Sequence, residues 1–196
     1  MRRTTFGVLV MAGLVLAAAG DGALGPSAGN AMKGPTGEPI AVDTSMFPNG
    51  GASVPGFEVT QSVPAPVAQV FERFTTSAGW KRFLGVEAVI DLRVGGAWEV
   101  YFGTDKIGSN GCQVLSYIPG EMVSFSWNAP PKFAERAQRT WCVVHFTRDG
   151  ENATKVRFQH YGFSDSGNWK DVQGYFEKAW PNVLGALAKS FQEPSK

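Results

Sequence analysis

Leu92-Arg93-Val94-Gly95-Gly96-Ala97-Trp98-Glu99-Val100 decides how this chain folds. Two extended, apolar-rich runs meet at a double glycine. Glycine enters positive φ without steric cost, so Gly95-Gly96 predicts a tight reversal or a bulge. Beyond it Trp98 and Val100 fall on one face and Glu99 and Tyr101 on the other, which is strand alternation.

Working outward, Phe57-Glu58-Val59-Thr60-Gln61-Ser62-Val63 alternates as a first strand. Pro66 suits the first turn of a helix, where its missing N–H costs nothing. Val67, Val70, Phe71 and Phe74 continue as one apolar stripe. Thr76 or Ser77 caps a second short helix holding Trp80 and Phe83, and Gly85 stops it. Strands are predicted at about 86–92, 97–103, 110–118, 122–128, 139–147 and 154–162. Pro119-Gly120 and Asp149-Gly150 are turn signals, and Asn128-Ala129-Pro130-Pro131 opens a longer connection. From about 168 to 192, Tyr175, Phe176, Ala179, Trp180, Val183, Leu184, Leu187 and Phe191 recur at helical spacing. Pro181 within that stripe removes one backbone bond, predicting a kink near Glu177 or Lys178.

The N-terminus reads differently. Met1-Arg2-Arg3 precedes an uncharged apolar run from Phe6 to Ala19, and Ala18-Ala19-Gly20 supplies small residues at a cleavage point. Residues 1–20 thus have the form of a secretory signal, and export to a periplasm or medium is expected. An uncleaved anchor is the alternative, although the run is shorter than the ~20 residues a span requires. Residues 21–55, rich in Gly, Pro, Ser and Asn, read as a flexible linker. The domain proper occupies 56–192. Without Arg2 and Arg3 the chain keeps 16 basic against 17 acidic residues, with no basic run. Nucleic-acid binding has no electrostatic footprint here.

Several short motifs then fall in a telling order: Val63-Pro64-Ala65-Pro66 leading into Val70-Phe71, Leu92 to Trp98, Val114-Leu115-Ser116 with Pro119, Val123-Ser124-Phe125-Ser126-Trp127, His160-Tyr161-Gly162-Phe163, and Ala179-Trp180 with Leu184 and Leu187. This order resembles the START/Bet-v-1-like (SRPBCC) superfamily, and within it the branch similar to the activator of the heat-shock-protein ATPase (AHSA-type). Ser116 stands where that branch carries an acidic residue. The resemblance implies an α+β helix-grip fold: a curved antiparallel sheet wrapped around a long C-terminal helix, with two short helices after the first strand and a cavity between sheet and helix. Taking strand parity within that frame, the inward set includes Trp98, Val100, Cys112, Val114, Ser116, Val123, Phe125, Trp127, Cys142, Val144, Phe146, Val156, Phe158 and His160. Phe176, Trp180 and Leu184 face them from the helix. The expected ligand-binding residues are Trp98, Val100, Val114, Ser116, Phe125, Trp127, Val144, Phe158, His160, Phe176, Trp180 and Leu184.

Cys112 and Cys142 share the inner face, on strands separated by a third. At ~4.8 Å per strand their Cα separation approaches ~10 Å, beyond the ~7 Å limit of a disulfide, so two free thiols are expected. A bridge would require another sheet order. His145 faces outward and His160 inward, and no short ligand spacing points to a metal. No dinucleotide or phosphate fingerprint implies a cofactor. Asn152-Ala153-Thr154 reads as a glycosylation sequon. His160 is the best polar candidate, either hydrogen-bonded to a carbonyl or Tyr117, or acting on a ligand as donor or general base.

Three functions follow. The first is an exported START-like module holding a small hydrophobic molecule, without catalysis and without stable membrane insertion once the signal is removed. The second is a cavity enzyme, cyclase- or hydrolase-like, working through His160. The third is a co-chaperone-like interaction protein, ranked last because an exported chain does not meet a cytosolic ATPase.

Overall fold

The computed structural model describes residues 56–103 and 107–192. The signal and linker read from residues 1–55 lie outside them. The order is β1 (Gly56–Val63), α1 (Val67–Thr75), α2 (Ser77–Leu84), β2 (Glu87–Ile90), β3 (Trp98–Phe102), β4 (Ile107–Gly108), β5 (Val114–Ile118), β6 (Met122–Asn128), β7 (Arg139–Arg148), β8 (Thr154–Tyr161) and α3 (Trp169–Lys189), with a 3-10 turn at Ala134–Ala137. Among the described residues the strands form a five-stranded antiparallel sheet, β1-β8-β7-β6-β5, and a three-stranded one, β2-β3-β4. With α3 laid against the larger sheet, this is an α+β helix-grip fold. No helix among the described residues is long and apolar enough to cross a membrane.

Local signals place the first elements. Thr76 caps α2 by accepting a hydrogen bond from Gly79 N at 3.1 Å, and Gly85 ends that helix in the left-handed region. Phe74 of α1 and Trp80 of α2 meet at 5.4 Å between ring centroids, while Trp98 lies flat on Phe125 at 4.1 Å. From α3, Trp180 packs on Phe158 at 4.1 Å. Aromatic rings thus fill most of the space between sheet and helices, each removing a large apolar area from water. The helix α3 runs unbroken through Pro181.

One expectation is met with an addition and one is corrected. The double glycine makes the expected reversal, Gly96 N donating to Arg93 O at 2.8 Å, within the 91–97 connection that joins β2 to β3. The turn also pairs with β5: Gly95 N donates to Val114 O at 2.8 Å and Val114 N to Gly96 O at 2.9 Å. The glycines therefore join the two sheets. Gly95 sits at φ +79°, and a Cβ on Gly96 would overlap the carbonyl oxygen of Asp91.

The correction concerns Ser116. The register slips between Val114, opposite Phe125, and Ser116, opposite Ser124. This bulge inserts one residue and reverses parity beyond it. Val114 faces the core as expected, whereas Ser116 is exposed on the outer face with its Oγ 2.6 Å from Ser124 Oγ. Tyr117, opposite the buried Val123, takes the inner side.

Gly96→Ala is expected to cost more than ~2 kcal/mol in urea unfolding, since backbone must move to admit the methyl. Gly174→Ala, in α3 with open space around it, is expected to gain ~0.5–1 kcal/mol. Equal effects at the two positions would contradict this account of the connection.

Candidate functional site

Beside α3 lies a cavity of about 420 Å³, within the range of small-molecule sites. Tyr175, Phe176, Ala179, Trp180 and Val183 form one wall, a stripe along the helix. Trp127 and Asn128 at the end of β6 form the floor, and Phe102 of β3, Gly103 after it, and Ile107 and Gly108 of β4 face them. Pro130, Pro131 and Arg136 close the remaining side.

That last side is held by unusual anchors. Pro130 and Pro131 carry no N–H and cannot prolong strand pairing. The chain leaves the sheet there, and Phe133 N bonds back to Pro130 O at 3.0 Å. Arg136 donates from Nη1 to Ala129 O at 2.6 Å and from Nη2 to Gly108 O at 2.7 Å. Longer bonds reach Asn128 Oδ1 at 3.3 Å and Asn110 Oδ1 at 3.2 Å. Burial, then the neighbouring Arg139 charge, lowers the pKa of Arg136 below its ordinary value. Glu135 Oε1 accepts from Asn168 N at 2.8 Å and so ties the connection to the start of α3. That bond holds the Glu135 carboxyl below its usual range.

Behind the cavity stands a buried polar chain. Trp180 Nε1–H donates to His160 Nδ1 at 3.1 Å. Indole N–H is only a donor, so Nδ1 is the acceptor and the proton of neutral His160 sits on Nε2. Nε2 lies 2.8 Å from Thr140 Oγ1, which donates in turn to Trp127 O at 3.3 Å. The partners are therefore Thr140 and Trp180, not a carbonyl or Tyr117. Burial lowers the His160 pKa to about 3. The imidazole stays neutral, and its basic nitrogen is occupied by Trp180.

Of the expected binding residues, Trp127, Phe176 and Trp180 line the cavity. Trp98, Val100, Val114, Phe125, Val144, Phe158 and Leu184 are sealed in the packed core and do not reach it. His160 is buried one layer behind, through Trp180, and Ser116 is exposed elsewhere. Parity thus identified the inner face, but side chains of that face fill one another's space. The sequence reading missed Phe102, Ile107 and Arg136 as cavity wall. Tyr175, Ala179 and Val183 belong to the predicted helical stripe.

Cys112 and Cys142 are buried and unbridged, with β6 between their segments. Desolvation raises both thiol pKa values, that of Cys142 well above the ordinary one. Among the described residues no group of three or more His, Cys, Asp or Glu side chains could hold a metal.

Comparison with known proteins agrees with this architecture. Residues 64–192 match the family model of the Activator of Hsp90 ATPase homolog 1-like protein. Similar solved structures include an HSP90 activator from Plasmodium falciparum, 21% identical with a TM-score of 0.58, covering 74% of this chain and 100% of its own. CalU16 from Micromonospora echinospora is 19% identical with a TM-score of 0.54, covering 71% of this chain and 76% of its own. The Aha1 dimer from Colwellia psychrerythraea is 19% identical with a TM-score of 0.52, covering 69% and 95%. At such identities the likeness is one of fold. No curated protein matches the chain.

A histidine held neutral in the fold favours the native state at higher pH. The unfolded imidazole takes its proton near pH ~6.5, whereas the folded one resists until about 3. Its contribution is therefore complete above pH ~6.5 and lost toward pH 3, at ~1.4 kcal/mol per unit. His160→Gln is expected to remove that slope from the wild-type urea-unfolding free energy between those limits. Parallel pH curves for the two proteins would contradict it.

Proposed function

The chain belongs to the Activator of Hsp90 ATPase homolog 1-like family, and from that premise we propose that it is an exported module that holds a small hydrophobic molecule against α3. The observation that carries this reading is the cavity itself. A half-open space of about 420 Å³ persists beside an otherwise tightly packed core, walled by Trp127, Phe176, Trp180 and Tyr175. Empty space lined by rings loses dispersion contacts, and an apolar guest restores them. Export follows from the signal-like residues 1–20, and residues 21–55 serve as the linker to the domain.

The enzyme reading draws less support. A general base needs a free lone pair, and His160 commits Nδ1 to Trp180 and its Nε2 proton to Thr140. The co-chaperone reading draws on the family's description alone.

Native mass spectrometry of protein purified from its own cells is expected to show a co-purifying lipophile. Ala179→Phe, which puts a ring into the cavity from a half-buried helix position, is expected to weaken its retention about tenfold or more, equal to ~1.4 kcal/mol. An adduct retained equally by the Ala179→Phe protein would place binding elsewhere. Wild-type protein that neither carries nor takes up any apolar molecule would overturn the proposal.

A further inference from the structure

Arg136 has a role that a purely oily cavity does not need. Among the described residues it is the one charged side chain on the cavity wall. It is half-buried, and its hydrogen-bond partners are two backbone carbonyls and two side-chain amide oxygens, all neutral. Among the described residues no carboxylate lies within ion-pair distance of it. A partly desolvated charge without a counterion is costly, and an apolar or amide side chain would close the wall more cheaply. The neighbourhood adds to its field. Arg139 donates to the Asn110 backbone carbonyl at 3.0 Å, and Lys132 Nζ sits over the Phe133 and Tyr175 rings at 4.9 and 5.6 Å. The cavity thus has an aromatic wall and one cationic side.

We infer that the molecule held in this cavity is an amphipathic aromatic or acyl anion, its apolar body against Trp127, Phe176 and Trp180 and its negative oxygen atoms against Arg136. The inference rests on the hydrophobic-ligand reading above and specifies the ligand's charge. Guanidinium binds a planar oxyanion through paired N–H donors, and such charge-assisted bonds are stronger than neutral ones. The two longer bonds, to the Asn128 and Asn110 amides, are those an anion would replace; the shorter backbone bonds keep the guanidinium in place. The apolar wall supplies affinity, and Arg136 supplies orientation and selection of charge.

Two fluorescent probes of nearly equal shape test this: anilinonaphthalene sulfonate and its neutral counterpart N-phenylnaphthylamine. Wild-type protein is expected to bind the sulfonate about tenfold tighter than the amine, with only the sulfonate weakened by added salt. Arg136→Gln is expected to lower sulfonate affinity about tenfold more than amine affinity, and Arg136→Lys to restore part of it. Ala179→Phe is expected to exclude both probes, which fixes their place. The comparison in wild-type protein stands even if the Arg136 variants lose the fold. Equal binding of both probes, without salt dependence, overturns the charge assignment and leaves an oily cavity. A sulfonate preference that survives in folded Arg136→Gln overturns the role of Arg136. Failure of both probes to bind overturns this inference and the hydrophobic-ligand reading together.

Discussion

The hydrogen bond from Trp180 Nε1–H to His160 Nδ1 joins the C-terminal helix to β8, an inner strand of the large sheet, and the remaining architecture takes its bearings from it. Both partners are buried, so neither finds water if the bond is lost, and an unpaired buried polar group costs ~1–3 kcal/mol. The chain continues through Thr140 to the carbonyl of Trp127, satisfying three side chains and one backbone group inside an aromatic core. Such a chain tolerates one rotation of α3. A slip by one residue turns the helix by ~100° and removes the indole from the imidazole. With rotation fixed, Phe176 and Trp180 pack on the sheet and, with Tyr175, Ala179 and Val183, border the cavity.

Packing and cavity are two outcomes of the same aromatic supply. Over α1 and α2 the rings of Phe74, Trp80, Trp98 and Phe125 stack and tilt on one another, leaving no room. Beyond β6 the sheet gives way to residues 129–138, which meet α3 where Phe133 packs on Tyr175. Arg136 binds that connection to β4, and Glu135 binds it to Asn168. Space persists because its wall is suspended from backbone groups on two sides. The cavity therefore occupies one end of the sheet–helix interface, not its length.

Much of this was legible in the residues themselves. Alternation in β1, β3, β6, β7 and β8 and the stripe of α3 gave the elements, since burial on one face enforces those periods. The resemblance supplied their arrangement. Ser116 was misplaced because a bulge depends on partner backbone: Gln113 N bonds Ser126 Oγ and Ser126 N bonds Gln113 O, and nothing in Val114-Leu115-Ser116 announces it. Gly95-Gly96 makes the turn it announces, but local sequence cannot show that Val114, far along the chain, also pairs with it. Arg136 was overlooked for the same reason, its acceptors lying at Gly108, Asn110, Asn128 and Ala129. Non-local hydrogen bonds were the missing information each time.

The clasp between α3 and β8 is tested most directly by nitrogen-15 NMR of the His160 ring at pH ~5, below the ordinary histidine pKa. The account predicts a neutral ring protonated at Nε2, with a solvent-protected Trp180 indole proton correlated to Nδ1. A doubly protonated His160 at that pH, or a Trp180 indole proton exchanging freely with water, would contradict it.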